Sequence, residues 1–209
     1  MPADEHAISP FGDDALTVAI AEPVLAIEAR AELLRAEGWA EAVLATTGTL
    51  TLRFDPLRVG ADEAASRLRA ALARPAPPPG AVAQEVVLPI RYDGPDLGAV
   101  ARMANMTTGD LVEAHAAATY TVAFLGFTPG FAYLDGLDAR LSDVTRLASP
   151  RVRVPAGSVG IAGGRSGVYA LPGPGGWPLI GTTDGRLFDS SADDPFALRA
   201  GATVRFEPS

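Results

Sequence analysis

Between Phe124 and Thr183 the sequence runs FLGFTPGFAYLDGL and then PRVRVPAGSVGIAGGRSGVYALPGPGGWPLIGTT. Glycine and proline contribute special backbone geometry and close approach rather than buried apolar area. A stretch this rich in both is too costly for an ordinary packed core. It is expected to shape a surface: a pocket, an interface, or both.

The remainder must supply the cores. The chain has 209 residues, 48% of them hydrophobic and 20% charged, enough for one large domain or two small ones. No apolar run approaches the roughly 18–20 residues that span a bilayer. The start, MPADEHAISPF, lacks a basic segment followed by an apolar one. No signal peptide or membrane association is expected, and a cytoplasmic location is. The sequence has no cysteine, which excludes disulfides, thiol nucleophiles and thiolate-bound metals. All 17 basic residues are arginine, so lysine-dependent chemistry is excluded too. The net charge of −8 argues against a nucleic-acid partner, although local arginine clusters remain available to small anions.

Residues 15–20 (ALTVAI) are expected to form a strand and 23–37 a helix, with Pro23 in its first turn and Gly38 as its stop. Leu25, Ala29, Leu33 and Ala36 fall on one helical stripe. Two strands at 41–46 and 49–54 flank Thr47-Gly48, and a second helix covers 62–73, with Asp62 as cap or first-turn acid. This β-α-β-β-α order predicts a small ferredoxin-like α+β domain, closed by a further strand. Residues 74–81 (RPAPPPGA) form a proline-rich linker, which divides the chain into domains 1–80 and 81–209. The second domain opens with the strand QEVVLPIRY, continues through helices at about 95–104 and 107–118, and ends in short strands between glycines and prolines. Thr107 or Thr108 is the cap of the second helix, with Asp110 in its first turn. That pattern predicts a barrel or a sandwich.

The glycine-rich run fits neither G-x-x-x-x-G-K-[ST] nor G-x-G-x-x-G, so a P-loop or dinucleotide site is not expected. Ser158 sits in Ala156-Gly157-Ser158-Val159-Gly160, close to a nucleophile elbow but with alanine for its first glycine. Its base would have to be His115, since the other histidine, His6, lies near the terminus. The plainer alternative is a turn serine. His115 lies on the second helix of the domain, as a polar or proton-handling residue or as a packed one, and no metal site is expected. Arg151, Arg153 and Arg165 surround the segment, either as carboxylate contacts or as surface charge. Phe127, Phe131, Tyr133 and Trp177 line a pocket or an interface, or pack as core.

The same motifs resemble the family known variously as KipI-like, as allophanate hydrolase subunit 1 and as the B component of 5-oxoprolinase. GDDALTVAI, LRFDPLRVGADEAASRLRAAL, GPDL and the histidine of EAHAAATYTVAFLGF fit it as well, so the resemblance covers nearly the whole chain. It implies a cyclophilin-like β-barrel after the N-terminal α+β domain. It implies a subunit that works with a homologous second barrel subunit (allophanate hydrolase subunit 2, or the C component of 5-oxoprolinase) and a LamB/YcsF-like third protein. Together these cleave 5-oxoproline to glutamate using ATP, with no cofactor held by this chain alone. The same motif also admits an allophanate or urea-derived substrate, or a binding module that inhibits a histidine kinase, and it does not choose among the three. On this resemblance Arg151, Arg153, Arg165, Ser158 and Ser166 are candidate substrate contacts, His115 the candidate catalytic residue, and Phe127, Pro129, Phe131, Tyr133, Pro155 and Trp177 the pocket or interface. Where the family commonly has Gln-Thr-Gly, this chain has Arg165-Ser166-Gly167. Gly173 stands where a serine is usual before Pro-Gly-Gly-Trp. Gly181-Thr182-Thr183-Asp184 replaces Gly-Arg-Thr-Pro. The expectation is that Arg165 makes up the positive charge lost at position 182.

Overall fold

The computed structural model describes residues 7–46, 48–75 and 84–209, arranged as two units, Met1–Ala81 and Val82–Ser209. Most of the proline-rich linker, and Thr47 of the hairpin, lie outside the described residues.

The first unit follows the order β1 (Ile8–Pro10), β2 (Ala15–Ala19), α1 (Val24–Ala36), β3 (Ala40–Thr46), β4 (Thr49–Phe54) and α2 (Ala61–Leu72). Its antiparallel sheet has the order β1-β2-β4-β3. A strand was expected after α2 to close this sheet; its edge is instead held by β1, which precedes the expected elements. Alternation along β2 and β4 turns Leu16, Val18, Leu50, Leu52 and Phe54 to one face. Ala64, Leu68 and Leu72 of α2 recur every fourth residue and cover that face together with α1. The stripe expected on α1 is corrected: the buried residues are Ile27, Arg30, Ala31 and Leu34, and Leu33 is half exposed. Two apolar stripes compete on this alanine- and leucine-rich helix, and the one carrying Ile27 meets the sheet. Arg30 pairs with Glu22 at 2.7 Å and donates to the carbonyls of Ala71 and Arg74. It thus satisfies acceptors at the end of α2 that the helix itself leaves open. Pro23 proves to be the N-cap of α1 rather than part of its first turn, and Asp62 lies in the first turn of α2.

The second unit contains β5 (Glu85–Ile90), α3 (Leu97–Met103), α4 (Thr108–Ala117), β6 (Tyr120–Leu125), β7 (Ala132–Asp135), β8 (Arg151–Val154), β9 (Ser158–Ala162), β10 (Arg165–Val168), β11 (Gly173–Gly175), β12 (Leu179–Thr182) and β13 (Thr203–Pro208). Seven strands form one sheet in the order β12-β9-β10-β7-β6-β13-β5, and β8 pairs with β11 separately. The two outer strands meet: Arg91 and Thr182 exchange backbone hydrogen bonds of 2.9 and 2.8 Å. The sheet is therefore a nearly closed barrel. Closure needs Gly181, because a Cβ there would overlap the Arg91 carbonyl. Inward residues of every strand, among them Ile90, Val122, Leu134, Val159, Val168, Ile180 and Val204, form the core with α3 and α4. Thr107 caps α4 through a reciprocal pair of bonds with Asp110.

Candidate functional site

On the strands that carry the motif, every second residue points away from the barrel interior. Four such residues form a row across β7, β10, β9 and β12: Tyr133, Gly167, Gly160 and Leu179. The two glycines make a bare floor. A Cβ on Gly167 would stand 2.9 Å from the Phe131 ring and 3.0 Å from the Trp177 ring, and one on Gly160 would stand 3.1 Å from Trp177 Cβ. Glycine is thus used here so that aromatic rings can lie directly on the sheet. Phe131 meets Tyr133, Tyr169 and Trp177 edge-on, with centroids 4.8, 5.0 and 5.8 Å apart, and Trp177 meets Tyr133 at 5.7 Å. Beyond Tyr133, Phe124 stacks on its ring at 4.2 Å.

The turn FTPGF supplies the outermost ring. The Thr128 amide donates to the Gly126 carbonyl at 2.8 Å, closing a three-residue turn with Phe127 at φ 69°. Phenylalanine rarely adopts that conformation, and the residue is 60% exposed, its ring edge-on to Phe131 and Tyr169. Burial pushes the Tyr133 and Tyr169 hydroxyl pKa values up. On Tyr133 the positive charges of Arg146 and Arg165 oppose the rise. On Tyr169 a hydrogen bond from the Trp177 backbone opposes it, helped by Arg146 and Arg151.

The candidate residues from the sequence do not all gather here. Phe127, Phe131, Tyr133 and Trp177 do, with Pro129 exposed in the same turn. The three arginines are separately engaged rather than clustered. Arg151 binds Asp96 at 2.7 Å, Arg165 binds Asp135 at 2.6 Å and lies over Phe124, and Arg153 is exposed without an ion pair among the described residues. Pro155 is exposed in the turn after β8. Ser158 is buried in β9 opposite Thr182.

His115, the catalytic candidate, lies away from this face. It is fully buried in the barrel core, with Nδ1 bonded to the Tyr92 hydroxyl and Nε2 to Ser166 Oγ, both at 2.9 Å. Phe206 packs 4.7 Å from its ring, and desolvation lowers its pKa to about 3. In this structure the imidazole is neutral and both of its nitrogens are occupied. Its serine partner is Ser166, equally enclosed, and not Ser158. The substitution of Arg165 for a charge at position 182 is corrected as well. Arg165 lies opposite Ala162 and Thr182 opposite Ser158, about 13 Å apart along β9. Arg91 is the arginine beside Thr182, and its guanidinium closes on Asp184 at 2.6 Å.

Tyr169, Phe124 and Arg146 were missed. The first two lie inside or next to the motif, and their aromatic character was the available signal. Arg146 had none, because only the fold carries its loop to this face. No cluster suited to a metal ion occurs among the described residues. A hollow beside α4 is lined by Asp110, Glu113, Asp138 and Arg140, but Asp110 is used in the cap and Asp138 holds Arg140. None of the described helices is long and apolar enough to cross a membrane.

The family model "Carboxyltransferase domain, subdomain C and D" matches residues 6–198. A protein of Escherichia coli O157:H7, named as the B component of 5-oxoprolinase, is 48% identical over 126 residues, 59% of this chain and 57% of that protein. Its namesake in Bacillus subtilis is 44% identical over 124 residues, 58% of this chain and 51% of that protein. The matches therefore span little more than half the length of these curated relatives. The crystal structure of TTHA0988 superposes with a TM-score of 0.80 at 35% identity, over 93% of this chain and 40% of that one. The Kluyveromyces lactis urea carboxylase shares the fold, with a TM-score of 0.77 at 18% identity over 98% of this chain and 22% of that one. This chain belongs to the carboxyltransferase-domain (subdomains C and D) family, alongside the proteins named as the B component of 5-oxoprolinase.

Proposed function

We propose that this chain is a non-autonomous subunit of an ATP-dependent hydrolase that opens the cyclic amide of 5-oxoproline to give glutamate. Its identity of 43–48% to relatives named as the B component of 5-oxoprolinase carries the proposal. The site supports a shared role. It offers an exposed Phe127 over a buried ring cluster, but no exposed nucleophile paired with a base among the described residues. A homologous second barrel subunit and a LamB/YcsF-like protein complete the enzyme. ATP is consumed by the assembly, not held by this lysine-free chain alone, and that requirement places the reaction in the cytoplasm. In fold terms, the first unit is a ferredoxin-like variant edged by β1, and the barrel is cyclophilin-like.

The test is co-expression with both companions, followed by measurement of ATP-dependent glutamate release from 5-oxoproline. Release that disappears when this chain is omitted is the expected result. A stable, complete assembly that releases no glutamate would overturn the proposal.

A further inference from the structure

The four-stranded sheet of the first unit has two outer edges, and they are protected by different means. β1 is three residues long and ends in Pro10, which has no amide hydrogen to offer a further strand. β3 has no such protection in its own sequence. From Ala42 to Thr46 it is uncharged and free of proline, and among the described residues only β4 pairs with it. An edge of this composition is a template for another chain.

Arg35, in the last turn of α1, lies across that edge. Its Nε and Nη2 both donate to the Val43 carbonyl, at 3.1 and 2.6 Å, and its Nη1 donates to Glu28 at 2.8 Å. The guanidinium is thus held from two sides, although the side chain is 42% exposed. Backbone groups along an antiparallel strand point alternately to its two neighbours. The Val43 carbonyl, taken by a side chain rather than by β4, belongs to the set that faces outward, and the Ala45 backbone groups share its direction. These positions fit an identical strand. An antiparallel second copy of β3 centred on Leu44 sets Val43 against Ala45 twice, about a two-fold axis, and Leu44 against itself. Such a pair needs each Val43 carbonyl to accept from the Ala45 amide of the other copy. Arg35 already occupies that carbonyl.

We infer that Arg35 guards the β3 edge and keeps two copies of the chain from joining their sheets through it. The same bonds tie α1 to β3, and the two roles separate when Arg35 is removed. Loss of a tie lowers stability, whereas loss of a guard makes dimers.

The chain has no cysteine, so one introduced at position 44 reports the pairing directly. Leu44 is 58% exposed and tolerates the change. The full chain is made as Leu44→Cys alone, with Arg35→Met and with Arg58→Met, and as Arg35→Met with Leu57→Cys. Methionine keeps the aliphatic stem of Arg35 without its donors. Arg58, exposed in the loop after β4, controls for the lost charge, and Leu57, 96% exposed in the same loop, controls for chance collision. Each protein is oxidised mildly with copper phenanthroline and run on a non-reducing gel, after far-ultraviolet circular dichroism has shown it folded. Cysteine-free Arg35→Met is followed by sedimentation velocity over a range of concentrations. The expected result is a disulfide-linked dimer that accumulates only with Arg35→Met and Leu44→Cys together. Arg35→Met should sediment as a concentration-dependent dimer, lost again on adding Ala45→Pro, which removes an outward amide. Should Arg35→Met unfold, Glu28→Gln, which frees the guanidinium from its second contact, is read in the same way. A monomeric Arg35→Met that cross-links through position 44 no faster than the chain with Arg35 would overturn the guard and leave a tie. Equal cross-linking from positions 44 and 57, or dimers that survive Ala45→Pro, would overturn β3 as the edge being guarded.

Discussion

Gly167 is the position on the barrel sheet against which the ring cluster packs. Its neighbours across the sheet are Tyr133 and Gly160, and two rings occupy the space that a side chain would take. Adding a single methyl group must move Phe131, Trp177 or the strand itself, because the contacts would be 2.9 and 3.0 Å. Gly167→Ala should cost about 1–3 kcal/mol in urea unfolding and should alter the near-ultraviolet signal of the ring cluster. A stability within 0.5 kcal/mol of the parent would show that the rings have room to shift. The dense glycine and proline composition pointed to a shaped surface, yet β9 and most of β10 and β12 are buried, Phe131 and Trp177 pack as buried rings beside Tyr133, and of the four aromatics only Phe127 stands well exposed. What composition could not reveal was the division of labour. Gly160 and Gly167 form the floor, while Gly181 and Gly94 let β12 approach its neighbours. The roles of individual arginines were equally hidden. Whether a guanidinium is free or spent depends on which carboxylate the fold brings to it, and Asp96 and Arg151 are 55 residues apart.

At the scale of elements, Asp96 joins three of them. It precedes α3, its Oδ1 accepts from Arg151 on β8, and its Oδ2 accepts from the Leu179 amide of β12, each at 2.7 Å. The Asp96 amide in turn donates to the Leu179 carbonyl at 3.0 Å. Both side chains are largely buried, with 29% of Arg151 and 15% of Asp96 exposed, so removing one leaves the other poorly solvated. Asp96→Asn should cost about 1–3 kcal/mol by urea unfolding. In a double-mutant cycle with Arg151→Met, the pair should couple by about 1 kcal/mol or more. Additive losses would mean that the clip contributes no more than its separate packing contacts. The GPDL motif pointed to this turn without disclosing its purpose, which depends on strands much later in the chain. Element prediction succeeded where periodicity was long, as in α2 and α4. It failed for β7 and β11, since a four-residue AYLD and a Gly-Pro-Gly strand exist only through their partners. The split between strands 2, 3 and 4 of the first unit followed from pattern, whereas the edge position of β1 did not.

For the molecule as a whole, the buried histidine links fold stability to pH. His115 ties α4 to Tyr92, just beyond β5, and to Ser166 on β10, inside a core where Tyr120 and Phe206 also surround its ring. None of these neighbours is a carboxylate that could stabilise an imidazolium, and desolvation depresses the folded-state pKa to about 3. An unfolded chain would take up the proton near the ordinary histidine value of about 6.5. Between those two values the unfolded state binds more protons than the folded one, so stability rises with pH across the window. The contribution is fully present above about pH 6.5 and is lost as pH falls toward about 3. The slope is about 1.4 kcal/mol per pH unit within the window, so lowering pH from 6.5 to 5 should remove about 2 kcal/mol. Other groups contribute their own pH dependence, and comparison with His115→Gln cancels most of it. The variant should be less stable than the parent at pH 7, because it disturbs two buried hydrogen bonds, but the gap should narrow by about 2 kcal/mol at pH 5. Urea unfolding of both proteins at pH 7, 6 and 5 measures this directly. Parallel stability curves would mean that His115 is protonated as readily in the folded chain as in the unfolded one, and that its ring has access to solvent after all.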